Sequence, residues 1–235
     1  MTYQERRPPG PPGLPGLGVA CVWSRSGATT PVRVLPDACA DVIWHRESGA
    51  LWVAGPDTAA QLSAPVAGTL VGIRFPSATR PLGVPAADLR DARVALADLW
   101  PTRRAADLAD RLAETPDTAA AQRVLVSALA TEPDPLAVAL RSLAARTGSV
   151  TEMADRLGYS PRQLRRHAHT AFGYGPKVLH RVLRFTRAVS LARAGIPFAD
   201  IAQAGGFTDQ AHLSNEVRDL AGTTLSDLVG PDRPQ

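Results

Sequence analysis

Two groups of polar side chains in the last third of the chain have the residue types to contact an anionic partner. Each group lies on a predicted helix whose apolar residues face the other way, so its members project outward together. The first group is Arg162, Arg165 and Arg166, and the second is Gln210, His212 and Asn215. Residues 136–235 contain 13 lysines and arginines against 8 acidic residues, whereas the rest of the chain contains 13 against 14. Nucleic acid is the natural partner for such a region, because neutralising phosphates releases counterions.

Residue types that bind metals or act as nucleophiles occur earlier in the chain, but their spacing is unfavourable. Cys39, Asp41 and His45 alternate onto one face of a predicted strand. At roughly 3.3 Å per residue, Cys39 and His45 lie about 20 Å apart, too far to share a metal ion. Cys21 and Cys39 are too few for a disulfide framework and lack zinc-type spacing. We therefore expect no metal, no cofactor and no catalytic residue.

Two short helical pairs between residues 149 and 228 are predicted to position the outward-facing groups. Each pair turns on a glycine-aromatic-hydroxyl triplet, Gly158–Ser160 in the first and Gly206–Thr208 in the second. Glycine permits the positive φ that the corner between two helices requires. The small residues Ala154 and Ala202 stand four positions before these glycines, where close packing of the helices needs a small side chain. This is the pattern of a helix-turn-helix unit, and it occurs twice.

The second helix of each pair begins near a hydroxyl residue. Ser160 and Thr208 are predicted to cap these helices, and Pro161 fits the first turn of the earlier one. A long helix from Pro176 to Gly195, with one apolar face, is predicted to join the two units rigidly.

The chain from Leu17 to Phe75 has the pattern of a small β-barrel or sandwich, because short β-prone runs alternate with turn residues. The predicted strands are Gly18–Trp23, Val32–Leu35, Ala40–His45, Leu51–Ala54 and Thr69–Phe75. An extended arm is predicted over Glu5–Gly16, where proline and glycine dominate. The predicted fold class is therefore α+β. It combines a cupin-like β-barrel or sandwich, a helical linker and an all-α double helix-turn-helix domain.

Three of the four tryptophans fall in the β-rich part of the chain: Trp23, Trp44 and Trp52. Two interpretations of these side chains stay open. They fill the core of the barrel, or they line a pocket for a small apolar or aromatic effector.

Helices are also predicted between the β-rich part and the helix-turn-helix part. One begins near Pro85, a second is capped by Thr102, and a third starts at Thr115–Pro116. Their alanine-rich stripes either pack on the β-rich part or form a seam between two protomers. Glu132–Pro135 is the clearest boundary in the chain. The predicted domains are a sensor over 1–83, a helical linker or dimerisation segment over 84–131, and a double helix-turn-helix domain over 132–235.

Both ends of the chain share specific residues with known protein families. In the last part these residues are Gly158–Arg166, Gly175-Pro176, Arg187-Ala188, Asp200–Ala202 and Gly206–Ser214. Through them the chain resembles the AraC/XylS family of bacterial transcription regulators. In the first part the residues are Tyr3–Glu5, Leu35–Asp37, Val53–Thr58 and Gly72–Phe75. These are similar to an uncharacterised β-rich domain that precedes some AraC-type domains, which implies a sensing module.

The resemblance to AraC/XylS regulators implies a role for each outward-facing residue. Arg162, Arg165 and Arg166 would read one major groove, where arginine binds the O6 and N7 atoms of guanine. In the same way, Gln210, His212 and Asn215 would read the next groove. Ser160 and Thr208 would contact phosphate.

We interpret the chain as a DNA-binding transcription regulator of the bacterial cytoplasm, responsive to an effector and not an enzyme. The expected partners are double-stranded DNA, RNA polymerase, a small-molecule effector and a second copy of the chain. No membrane partner is expected, because no apolar run approaches the ~20 residues that a membrane span needs. One alternative is a DNA-modifying or repair enzyme that uses the helix-turn-helix domain for targeting, which would need a reactive cysteine. Another is a small-molecule binder that no longer reads DNA sequence.

Overall fold

An antiparallel sheet organises the first part of the protein. The structure is a computed structural model that describes residues 2–6, 18–27, 29–76 and 82–230. Its strands are β1 (Thr2–Arg6), β2 (Cys21–Ser26), β3 (Val32–Val34), β4 (Cys39–His45), β5 (Leu51–Ala54), β6 (Gln61–Ser63), β7 (Thr69–Pro76) and β8 (Arg93–Ala95). Six of them form one sheet in the order β1-β2-β7-β4-β5-β8, and β3 pairs with β6 in a second, two-stranded sheet.

The predicted α+β fold class is confirmed, but the sheet does not close into a barrel. Strands β1 and β8 lie at opposite edges of the six-stranded sheet. Of the predicted barrel or sandwich, the barrel is therefore wrong. The sheet is open, and residues on one of its faces line a cavity together with residues of β3 and β6. Part of the predicted arm, Glu5 and Arg6, belongs to edge strand β1, while the rest of that arm lies outside the described residues.

The six-stranded sheet buries one of its faces under helices. After a short 3-10 helix (Ala86–Leu89) come helices α1 (Leu96–Leu99), α2 (Thr102–Ala113) and α3 (Thr118–Leu129). The residues Val42, Trp44 and Ile73 of the sheet form one core with Leu112 and Leu125 of the helices. These helices were predicted either to pack on the β-rich part or to form a seam between protomers. Their apolar stripes pack on the sheet. Helix α3 starts at Thr118 rather than at Thr115–Pro116, and Asp117 caps it through a 2.7 Å hydrogen bond from the Ala120 N–H. The predicted Thr102 cap of α2 is wrong, because Pro101 is the N-cap and no side chain caps that helix.

Seven helices form the last part of the described chain. They are α4 (Pro135–Ala144), α5 (Val150–Leu157), α6 (Pro161–Phe172), α7 (Pro176–Arg193), α8 (Phe198–Ala204), α9 (Gln210–Ala221) and α10 (Leu225–Val229). Helices α5 and α6 are the first predicted pair, α8 and α9 the second, and α7 joins them. Each pair has its own buried core, centred on Met153 and Phe172 in the first and on Phe207 and Val217 in the second.

A segment of the β-rich part, residues 35–38, lies against both helical cores. Ala38 is fully buried in the core of the first pair, and Leu35 packs on the core of the second. The Ala38 carbonyl accepts a hydrogen bond from Arg141 at 3.3 Å. The Pro36 carbonyl accepts one from Thr186 of α7 at 3.5 Å. The β-rich part therefore contributes to the packing of the helical part rather than merely preceding it.

Candidate nucleic-acid interface and cavity

The turn between α5 and α6 fixes where α6 begins. Gly158 ends α5 with φ of 71°, a left-handed conformation that glycine adopts at little cost. Ser160 then caps α6 as predicted, because its hydroxyl accepts from the Gln163 N–H at 3.3 Å. The Gln163 side-chain oxygen in turn accepts from the Ser160 N–H at 3.0 Å, which completes a capping box. Pro161 occupies the first helical position, where its missing N–H is not needed.

The three arginines of α6 are free to contact a partner. Arg162, Arg165 and Arg166 are exposed, whereas Leu164 and Ala168 on the opposite face are fully buried. Within the described part of the chain, none of the three arginines forms a hydrogen bond or an ion pair. Helix α6 thus presents a basic face with no carboxylate of its own to neutralise it.

Helix α9 begins differently from the prediction. Asp209, not Thr208, is its N-cap, and the Asp209 carboxylate accepts from the His212 N–H at 2.7 Å. The prediction that the Thr208 hydroxyl caps this helix is therefore wrong. An aspartate is a strong cap because its charge also interacts favourably with the positive end of the helix dipole. Thr208 remains exposed beside the cap.

The His212 ring is held by contacts within the second unit, although its side chain is 38% exposed. Its Nδ1 accepts from the Thr208 N–H at 3.2 Å and lies 3.2 Å from the Thr208 hydroxyl. The ring stands edge-on to Phe207, with centroids 5.6 Å apart. Gln210 and Asn215, by contrast, are exposed. Of the three residues predicted to read a base in the second unit, two are therefore free to do so.

Two arginines of α7 hold α9 in place. Glu216 accepts from Arg181 and, at 3.0 Å, from Arg184. Arg184 also donates to the Gly206 carbonyl at 3.0 Å and lies 4.2 Å over the Phe207 ring. The Arg184 and Glu216 side chains are only 14% and 15% exposed. This cluster was not predicted from the sequence. The signal for it was the presence of arginines on α7 and an acidic residue on α9, two helices that pack together.

The β-rich part contacts the carboxyl ends of both outward-facing helices. The Arg90 guanidinium donates to the Gly173 carbonyl, which follows α6, at 3.3 Å. At the end of α9, the Ala60 N–H donates to the Leu220 carbonyl and Arg33 donates to the Ala221 carbonyl, both at 2.7 Å. The last carbonyls of a helix have no partner within the helix. The first part of the protein supplies partners for them in both α6 and α9.

A cavity of about 1010 Å³ lies between the two sheets and reaches the helical part. Trp23 and Trp52 line it, and Arg193, Thr223 and Leu228 reach it from the helical side. Trp44 does not line it: that side chain is 1% exposed and packs in the core under the helices. Successive residues of a strand face opposite sides of the sheet, so Trp44 and its neighbour Ile43 are separated. Trp44 thus fills the core, whereas Trp23 and Trp52 line the cavity.

The two cysteines are not in a setting that activates a thiol. Burial raises the pKa of Cys21 to about 12. Burial, with the nearby Asp37 carboxylate, raises the pKa of Cys39 well above its ordinary value. Both thiols are therefore protonated at neutral pH, and neither is a nucleophile of the kind that the enzyme alternative needs. Over the residues that the structure covers, no metal-binding group of side chains and no membrane-spanning helix is found.

Comparisons with known proteins agree with this geometry. A family described as a helix-turn-helix domain matches residues 153–229. A probable bifunctional transcriptional activator/DNA repair enzyme AlkA of Mycobacterium tuberculosis is 36% identical over 89 residues, which cover 36% of this chain. The match spans 18% of that relative's own length.

Among solved structures, the chain resembles ToxT from Vibrio cholerae. An apo ToxT variant from strain SCE256 has a TM-score of 0.52 at 10% identity, over 88% of this chain and 96% of that one. ToxT from strain O395 has a TM-score of 0.49 at 11% identity, over 97% and 96% of the two chains. The former likeness shows that this chain and the ToxT variant have the same overall fold. The family match shows that residues 153–229 form a helix-turn-helix domain of the AraC type.

Proposed function

We propose that the protein is a sequence-specific transcription regulator that inserts α6 and α9 into successive major grooves of DNA. The observation that carries the proposal is the unpaired arginine face of α6. Arg162, Arg165 and Arg166 are exposed and without partners among the described residues, while Arg156, Arg181 and Arg184 nearby are all paired. The three arginines of α6 are therefore available to a partner, as are the exposed Arg187, Arg193 and Arg218 elsewhere in the domain.

The two helices would contribute differently to binding. Helix α6 brings three arginines, which can bind both phosphates and guanine edges. Helix α9 has an acidic cap, Asp209, and exposes the neutral side chains of Gln210 and Asn215. Amide side chains recognise adenine in the major groove. We therefore assign most of the electrostatic affinity to α6, and base discrimination to both helices.

Ser160, Thr208 and His212 have supporting roles in this proposal. Ser160 and Thr208 are exposed at the starts of α6 and α9 and would contact phosphates. Such contacts position a protein on DNA without specifying the sequence. His212 would act as a positioning residue, because its ring already binds Thr208.

The experiment is a binding series on an operator selected from random DNA, measured at fixed salt against single-base variants. Arg165→Ala should cost about 1–3 kcal/mol and relax the preference at one or two base positions. Ser160→Ala should weaken binding to all sequences alike. Arg156→Ala, which removes an equal charge from the neighbouring helix, is the matched control and should leave the preference unchanged. A uniform loss for Arg165→Ala would make Arg165 a phosphate contact, and the absence of any enriched sequence would refute specific reading.

We further propose that an effector in the cavity regulates DNA binding. The support is that the cavity is bounded both by strands β3 and β6 and by the helical part, at Thr223 and Leu228. Arg33, in β3, both lines the cavity and binds the last carbonyl of α9. A ligand that shifts β3 would therefore alter the support of the second DNA-reading helix.

The test of regulation is operator binding by Arg33→Met, which retains most of the side-chain length but loses the hydrogen bond. It should change affinity chiefly through base pairs read by α9. Arg46→Met is the matched control, since Arg46 binds the Thr115 and Pro116 carbonyls, within the first part of the protein. Equal operator binding by both variants and the unaltered chain would refute the proposed link between the cavity and α9.

Assembly and polymerase contact remain predictions. The apolar stripes of α2 and α3 are buried against the sheet, so self-association between residues 102 and 130 would use their polar outer faces and be weak. Sedimentation at micromolar concentration would reveal it as a species heavier than 24.8 kDa. Contact with RNA polymerase would appear as activation of transcription by the purified components.

A further inference from the structure

One buried arginine in the cavity wall has no counter-ion. Arg25 lies on the cavity side of β2 and is 9% exposed. No described residue accepts a hydrogen bond from it or pairs with it. Burial lowers its pKa, as expected for a cation removed from water. Placing a charge there without a partner is unfavourable, so an anion delivered from outside would relieve the cost.

The carboxylates that line the same wall bind residues other than Arg25. Asp41 and Asp37 both bind Arg74, at 2.9 and 3.1 Å. Asp91 accepts from the Thr58 N–H at 2.6 Å. The other acidic residues that line the cavity are bound as well, Glu5 by the Tyr3 hydroxyl and Asp227 by hydroxyls of its own loop. None of the carboxylates that line the described cavity wall pairs with Arg25.

Beside Arg25 the wall is aromatic and flat. Gly72 of β7 stands opposite Trp23 in the sheet register, and a Cβ at Gly72 would lie 2.2 Å from the indole ring. The indole therefore lies directly on the backbone of β7, in space that only glycine leaves open. The Tyr3 ring is tilted by 32° to this indole, at 6.1 Å between centroids. Trp52 and Leu70 extend the apolar surface.

We propose that the cavity binds a small organic anion with an aromatic body, its anionic group on Arg25 and its ring against Trp23 and Trp52. The guanidinium fork matches a carboxylate with two parallel hydrogen bonds. Aromatic rings favour offset or tilted packing on one another, and both Trp23 and Trp52 line the cavity. A volume of about 1010 Å³ is ample for such a ligand. The proposal rests on the effector function proposed above and gives the effector its chemical class.

Isothermal titration of the full chain, without DNA, tests this class directly. The probes are benzoate, cinnamate and indole-3-carboxylate, each with its primary amide. Cyclohexanecarboxylate and inorganic phosphate complete the set. At least one aromatic acid should bind, and its amide should bind about ten- to hundredfold more weakly because the charge-assisted bonds are lost. Arg25→Gln should reduce affinity for the acid to that of the amide. Arg111→Gln, an exposed arginine on α2, should change nothing.

Several results would overturn the proposal. They are no binding by any aromatic acid at millimolar concentration, equal binding by an acid and its amide, or full affinity in Arg25→Gln. Cyclohexanecarboxylate binding as tightly as benzoate would refute the aromatic part, and phosphate binding as tightly would indicate a simple anion site. Should Arg25→Gln fail to fold, Arg25→Lys keeps the charge without the fork and should show an intermediate loss. Because no DNA is present, failure of DNA reading leaves this measurement unaffected.

Discussion

Glu216 is expected to stabilise the second helix-turn-helix unit more than any exposed ion pair of the same domain does. It joins α9 to Arg181 and Arg184 of α7, and the Arg184 and Glu216 side chains are largely buried. Replacing Glu216 by Ala leaves Arg184 buried, and among the described residues only the Gly206 carbonyl and the Phe207 ring stay as its partners. The variant should therefore lose both an attraction and the compensation for a desolvated charge.

The expected loss follows from the exposure of the partners. Breaking a fully buried ion pair by removing one partner costs about 3–5 kcal/mol. Here the 14% and 15% exposures, and the partners that Arg184 keeps, reduce the expectation to about 2–3 kcal/mol. Asp219→Ala is the matched control on the same helix. Within the described part of the chain its carboxylate binds only Arg181, and the side chain is 67% exposed, so its loss should cost about 0–1 kcal/mol.

Urea denaturation followed by far-ultraviolet circular dichroism is the appropriate assay. All four tryptophans precede residue 101, so their fluorescence reports on the β-rich core and not on this unit. In operator binding, Glu216→Ala should weaken discrimination at the bases read by α9 and spare those read by α6. Equal free energies of unfolding for the Glu216 and Asp219 variants would refute the view that the cluster is desolvated.

Three further predictions concern backbone, pH and domain structure. Gly158→Ala should lower the free energy of unfolding by about 1–2 kcal/mol, because φ is left-handed there and no atom crowds a Cβ, whereas Asn should cost less in the same urea titration. Hydrogen bonds from Thr224 and Thr223 hold the pKa of Asp227 in the folded protein below 3.8, its value in the unfolded chain. The ionised Asp227 therefore stabilises the fold above pH 3.8, and this contribution is lost as the pH falls through the pKa of the folded protein. Asp227→Asn should therefore be less stable than the unaltered chain at pH 5, with the difference shrinking by pH 3 in thermal melts. A fragment of residues 132–235 should fold and bind the operator but melt below the same helices in the full chain, since it lacks residues 35–38; an equal melting temperature would show that this segment adds nothing.

The sequence was sufficient to predict the helical part because local signals and tertiary packing agree there. Gly158, Ser160 and Pro161 each specify the same corner, and the apolar spacing of α5 and α6 points to one core. The error at Thr208 arose because a hydroxyl and a carboxylate stand side by side, and either can cap a helix. Asp209 is the cap because its extended backbone directly precedes the first helical residue, Gln210.

The β-rich part was less predictable for physical reasons. Strand β1 reads Thr-Tyr-Gln-Glu-Arg, and all five side chains are exposed, so no apolar alternation marks it. It is held by backbone pairing with β2 and by a hydrogen bond from Arg6 to Gln122 of α3. Strands β6 and β8 have three residues each, too few for a periodic pattern. The cavity depends on Gly72 and Trp23, which are far apart in sequence and meet only through strand register.

The position of residues 35–38 affects how such a protein can be recombined. A chimaera joined at the Glu132–Pro135 boundary would place a foreign loop against both helical cores. In this chain Ala38 fills that space with a left-handed φ of 59° and no exposed surface. A graft of the DNA-reading helices onto another sensor should therefore carry this short β-rich segment with it. The unit of exchange is discontinuous in sequence, and linear domain boundaries would cut through it.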